Sequence, residues 1–161
     1  MSEPIRLAVL SGATLATGLV AGLFFAYACS VMPGLAATDG RTLVGTMQSI
    51  NRKIINGWFL SAFLGGPLLV VAAVVGHLGT GGAVRGWLVA ALVSHVITLG
   101  VTGRFSVPLN NRLEAAGPVD GIGDLAGVRK WFETPWVRWN LVRTVSSVAA
   151  FVCLIGALLA R

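Results

Sequence analysis

Arg143 and Asn140 are the side chains best placed by type and spacing to do chemistry. A guanidinium and a carboxamide three positions apart project from the same face of a helix, and Thr144 and Ser147 extend that face. His95, Thr98 and Thr102 repeat the same helical spacing in another apolar stretch. Asn51 and Asn56 lie just before a third apolar stretch, and Tyr27 and Cys29 lie late in a fourth. Arg and Asn donors suit a negative charge that develops during a reaction, and an imidazole suits proton removal. His95 is therefore the candidate base, with Arg143, Asn140 and Asn51 as candidate donors to an anion. Asn56, Tyr27, Trp58 and Trp139 are the candidate substrate contacts, the two indoles as a stacking wall. Each element also has a plain reading. His95 can be a neutral histidine bonded to Thr98 or to a neighbouring helix, and Arg143 can snorkel from a helix end. Trp58, Trp136 and Trp139 can form an interfacial belt, and Gly18 to Gly22 is a GxxxG match that suits close helix packing.

Cofactor chemistry has no visible motif. His77 and His95 fall at different depths, and the apolar runs contain no carboxylate, so neither a haem nor a transition-metal site is expected. No P-loop and no GxGxxG after a strand occurs. Metal and cofactor are both expected to be none, which leaves Arg, Asn, His, Tyr and backbone groups for any chemistry.

The elements that must hold these residues are transmembrane helices. Charged residues are 11% of the 161 positions, against roughly 25% in soluble domains, while hydrophobic residues are 55% and the mean hydropathy is +0.82. Residues 7–38, 54–84, 86–103 and 144–160 carry no charge. Runs of this length span a bilayer core, which takes about 20 apolar residues. The expectation is one all-α domain over residues 1–161, a four-transmembrane-helix bundle with spans near 6–32, 55–77, 84–104 and 136–160. Ala26-Tyr27-Ala28 before Cys29 resembles a signal-peptide cleavage site, but the first apolar run is far longer than a signal peptide's.

Short amphipathic helices are expected in the loops. Asp39 can cap a helix over 41–55 with Leu43, Met47, Ile50 and Ile54 on one face. Pro108 can open a helix over 109–116 stopped by Gly117, Asp124 can cap 125–132, and Thr134-Pro135 can start the last span. Gly65-Gly66-Pro67 should kink the second span and widen a cavity there. The connection over 77–86 is glycine-rich and too short for a site.

Charge sets the orientation. Arg6, Arg85 and Arg161 fall on one face, while Arg41, Arg52, Lys53, Arg104, Arg112, Arg129, Lys130, Arg138 and Arg143 fall on the other. The bias places the larger set in the cytoplasm and both termini outside, in a multi-pass protein of the plasma (inner) membrane. The net charge of +6 is then topogenic, and no nucleic-acid partner is expected. Cys29 and Cys153 make no disulfide framework.

Phe24–Leu35 (FFAYACSVMPGL), Met47–Asn56 (MQSINRKIIN), Phe105–Leu113 (FSVPLNNRL) and Trp136–Thr144 (WVRWNLVRT), in this order, resemble the small four-helix membrane family that includes the anthrone oxygenases. The resemblance covers nearly the whole chain. It implies insertion of one oxygen atom into a tricyclic anthrone without metal or flavin, and it points to Asn51, Arg52, Asn110, Asn140 and Arg143. Two positions depart from the family pattern: Ser106 stands where Asn is common, and Leu141 where His often follows WN. The reading is a cofactor-independent oxygenase whose partners are a hydrophobic small-molecule substrate, O2 and membrane lipid, with a homo-oligomer left open. The rival is a non-catalytic membrane protein, an accessory subunit or a lipid or quinone binder, in which the polar cluster is interhelical glue.

Overall fold

The computed structural model of the chain describes residues 1–79 and 82–161. Part of the glycine-rich connection expected over 77–86 therefore lies outside the described residues. Helices α1 (Glu3–Ala26) and α2 (Met32–Ala36) are joined by a π-helical turn, Tyr27–Val31. Helix α3 (Gly40–Ile54) precedes α4 (Gly57–Gly76). Helices α5 (Gly82–Val101) and α6 (Val107–Ala115) are joined by a second π turn, Thr102–Ser106, and α7 (Leu125–Leu159) closes the chain. Among the described residues, four apolar helical stretches are long enough to cross a membrane: Glu3–Ala36, Gly57–Gly76, Gly82–Ala115 and Leu125–Leu159. The chain is a multi-pass membrane protein with an all-α four-helix bundle.

Around the bundle α1 packs on α4 and α7, and α5 packs on α4 and α7. Leu15, Leu19, Leu64, Leu68, Val93, Val96, Val145 and Val152 point outward, as lipid-facing positions must. Both termini lie at one end, where Arg161 donates to Glu3 at 2.6 Å. That end is filled by Leu10, Val70, Leu88 and Leu154 with small Ala13, Ala73, Ala91 and Ala157 between them. A polar layer crosses the middle. The Thr17 hydroxyl donates to the Ala13 carbonyl at 2.7 Å and meets His95 Nε2 at 3.1 Å, tying α1 to α5, while Thr98 meets the Ser146 hydroxyl at 2.8 Å, tying α5 to α7. Gly66 of α4 faces α1 beside Thr17, where an added Cβ would stand 3.6 Å from Ala16 and Thr17, at ordinary contact distance.

At the other end the connecting helices form a roof. Leu43, Val44 and Met47 of α3, Leu113 of α6, and Phe132 and Trp136 of α7 share one buried cluster. Polar ties fix it. Gln48 Nε2 donates to the carbonyls of Leu113 at 3.0 Å and Gly117 at 2.9 Å, closing the end of α6, where Gly117 takes φ +87°. Arg129 donates to the carbonyls of Ala36, at the end of α2, and Thr38, just beyond it. Asp39 caps α3 by accepting from the Thr42 backbone N–H at 2.7 Å, and that bond holds its carboxyl below the usual carboxylate range.

Several expected boundaries change. The helices that carry the first and third spans do not stop near 32 and 104 but run on to Ala36 and Ala115 through the π turns. Pro33 and Pro108 explain this. A proline ring in a helix collides with the carbonyl four residues back, here that of Cys29 or Arg104, and both carbonyls sit inside the widened turns. The wider spacing is closed by Met32 N–H to the Tyr27 carbonyl and Val107 N–H to the Thr102 carbonyl. Thr134-Pro135 likewise does not start the last span, because α7 already begins at Leu125. Phe132 and Trp136 lie one turn apart in the same buried cluster, which needs one continuous helix through Pro135. Helix α4 also continues through Pro67, and none of Gly65, Gly66 and Pro67 lines the large cavity described next.

Candidate functional site

A cavity of about 350 Å³ lies under the roof. Leu23 and Phe24 of α1, Ile50 and Ile54 of α3, Ile55, Phe59 of α4, Val107 of α6 and Trp136 of α7 make its apolar walls. Its polar lining comes from five elements: Tyr27 and then Thr102 and Ser106 in the two π turns, Asn51 and Arg52 on α3, Asn110, Asn111 and Glu114 on α6, and Asn140 and Arg143 on α7. Both π turns thus open onto the same space. Ser106, Asn110 and Glu114 follow one another at steps of four, so one helical face supplies all three.

Arg143 dominates the electrostatics. It is only 7% exposed, yet it makes no salt bridge among the described residues. One terminal nitrogen donates to Asn140 Oδ1 at 3.0 Å, and the Asn140 amide in turn donates to the Phe24 carbonyl at 3.1 Å. The guanidinium carbon lies 4.4 Å from the Phe24 ring centre and 5.4 Å from that of Trp136, which are cation–π distances. Its Nε has no partner, and neither does the amide nitrogen of Asn51 nor the hydroxyl of Ser106, although all three atoms are buried. A buried donor left unmade costs about 1–3 kcal/mol, and the three residues that carry these atoms all line the one cavity. Trp136 Nε1 donates to Asn110 Oδ1 at 3.0 Å, which fixes the Asn110 carboxamide against α7. At the rim Arg52 donates to Glu114 Oε1 at 2.7 Å.

A family model described as anthrone oxygenase matches residues 57–153, well over half of the chain. The chain belongs to the anthrone oxygenase family. No curated protein and no solved structure matches it. In this anthrone oxygenase family member, Ser106, Asn110, Glu114, Asn140 and Arg143 fall inside the matched region, while Tyr27, Asn51 and Arg52 precede it.

The cavity brings together six of the ten residues singled out from the sequence: Arg143, Asn140, Asn51, Asn110, Arg52 and Tyr27. The other four do not line it. His95 belongs to the polar layer deeper in the bundle, bonded to Thr17 on a neighbouring helix. Asn56 caps α4, accepting from the Phe59 N–H at 3.0 Å and donating to the Lys53 carbonyl at 2.9 Å. Trp58 is 90% exposed at the start of α4. Trp139 stacks on Phe105 at 3.7 Å between ring centres, away from the cavity. The aromatic wall is Trp136 instead, four residues before Asn140 and hence on its face. Tyr27 packs against that indole at 5.5 Å.

Ser106 and Glu114 were not expected at the site. The apolar runs hold no carboxylate, yet Glu114 brings one to the cavity rim from α6, which continues the helix of the third span through the π turn as far as Ala115. The signal lay in the four-residue steps from Ser106 to Asn110 to Glu114. Among the described residues no three His, Cys, Asp or Glu side chains come together as a metal-ligand set.

Proposed function

We propose that this family member is a cofactor-independent membrane oxygenase that takes a planar polycyclic ketone of the anthrone type into the cavity and delivers its enolate to O2. The observation that carries the reading is the buried Arg143 guanidinium, which has no counter-ion among the described residues and belongs to a residue lining the same cavity as Asn51 and Ser106; each of the three side chains has a buried polar atom without a partner. An anthrone is neutral when it enters and anionic once its methylene is deprotonated. Donors of this kind gain most from the anion, so they lower the barrier to forming it rather than merely binding the ketone. The apolar walls hold the flat rings and keep water from the charge.

The reaction closes without an external reductant. The enolate gives its electrons to O2, a C–O bond forms at the former methylene carbon, the peroxide anion takes back from water the proton lost in the first step, and the hydroperoxide loses water to leave the second carbonyl. One methylene ketone and one O2 give one quinone and one water. Lipid-facing surfaces around the bundle suit delivery of an apolar substrate from the bilayer.

The test is O2 uptake by the purified protein in detergent with an anthrone as substrate. Uptake faster than the spontaneous oxidation, with one O2 consumed per quinone formed, is expected. Uptake equal to the spontaneous rate across several anthrones, with ligand still bound, would replace this reading with a non-catalytic lipid or quinone binder.

A further inference from the structure

We propose that Glu114 is the base that removes the methylene proton, held by Arg52 at the rim of the cavity; this rests on the oxygenase reading above. Enolate formation needs a proton acceptor within reach of the bound ketone. The titratable groups of the lining are Tyr27, Arg52, Glu114 and Arg143. Two are cations and one is a phenol, an acid rather than a base at neutral pH, which leaves the carboxylate. His95 is outside the lining, and its Nε2 is engaged by Thr17.

The geometry suits a base in two further respects. Arg52 engages one carboxylate oxygen at 2.7 Å, while the other has no partner among the described residues and is free to accept a proton. The Glu114 side chain is 45% exposed, so a proton taken from the cavity has a route to water. Charge is also divided sensibly along the cavity. The carboxylate that collects the proton is paired at the rim, and the uncompensated guanidinium that receives the enolate is buried on α7. In the step itself the methylene C–H breaks, its proton goes to the free carboxylate oxygen, and the electron pair stays on the ring system as the enolate. The protonated carboxyl then gives its proton to water.

Proton removal can be measured apart from oxygen chemistry. Under nitrogen in D2O, the purified wild-type protein should speed exchange of the methylene protons of an anthrone above the detergent blank, followed by proton NMR. Glu114→Gln keeps an acceptor for Arg52 but cannot take a proton, and should lower the protein-dependent exchange by roughly 10²–10⁴-fold. Glu114→Asp should recover part of it. Quenching of tryptophan fluorescence by the ligand should persist in both variants. Exchange by Glu114→Gln at the wild-type rate would overturn the assignment, as would loss of quenching together with exchange, which would make Glu114 a binding group. Wild-type exchange no faster than the blank would overturn it as well. If exchange depends on Glu114 but no O2 is consumed, the oxygenase reading fails and the base remains. If O2 is consumed while exchange ignores Glu114, the reverse holds.

Discussion

Arg143 should be a residue that the fold does not need and the reaction does. In Arg143→Met the apolar stem is kept and the charge removed. The losses are the hydrogen bond to Asn140, of the charged kind that contributes about 1.5–3 kcal/mol, and a cation–π contact of about 0.5–2 kcal/mol over Phe24. Set against them is relief of a buried charge with no carboxylate partner, a desolvation cost of several kcal/mol in real proteins. The terms nearly cancel, so the thermal midpoint in detergent, read by tryptophan fluorescence, should stay near that of wild type or rise. The protein-dependent O2 uptake should nevertheless fall by about 10²–10³-fold, the usual effect of removing one donor to a developing oxyanion. Arg143→Lys keeps a charge without the five-donor fork and should lie between the two. A core truncation supplies the scale for stability: Met47→Ala in the roof should cost about 2–5 kcal/mol. If Arg143→Met were as destabilising as Met47→Ala, or kept the wild-type rate, the reasoning would be refuted.

His95→Gln should leave the protein-dependent oxidation rate essentially unchanged, because His95 serves the polar layer; a rate falling with the rate of Glu114→Gln would return it to the reaction. Trp136→Phe keeps the ring beside Tyr27 but strips the donor from Asn110 Oδ1, and should weaken ligand quenching while costing about 1 kcal/mol of stability; unchanged affinity would show that Asn110 needs no such support. Cysteines introduced singly at Gly82 and Gly121, in a background lacking Cys29 and Cys153, should be labelled from outside intact cells at Gly82 only; the reverse pattern would invert the orientation expected from the Lys and Arg bias.

The bundle was legible because charge-free runs of membrane length leave few alternatives, and Asp39, Asp124 and Gly117 act at the ends where capping chemistry put them. Pro108 opens α6 and Gly117 follows its end as expected, but the continuation of the first and third helices up to Pro33 and Pro108, and of the last helix through Pro135, was not legible. Proline usually ends a helix, but a π turn can absorb the carbonyl clash, and the buried cluster around Phe132 and Trp136 can hold a helix straight through it. Once the third span is carried past Pro108, Glu114 joins the cavity, which a boundary near 104 had hidden. The Arg143 and Asn140 pair was visible from spacing alone. His95 was not separable from it, since depth along a helix is readable from sequence whereas the neighbour a side chain meets depends on packing: here Thr17 on α1. Trp136 and Trp139 differ by less than one turn, and only the register against Asn140 decides which faces the ligand.

The central claim, that the cavity around Arg143 stabilises an enolate, is tested most directly by the absorption spectrum of an anthrone titrated into the protein at neutral pH without O2. Wild type should show the red-shifted band of the enolate growing to one equivalent per site, and Arg143→Met should show the neutral ketone even where fluorescence quenching proves that it is bound. A neutral-ketone spectrum in the wild-type complex, or the same enolate band in both proteins, would contradict it.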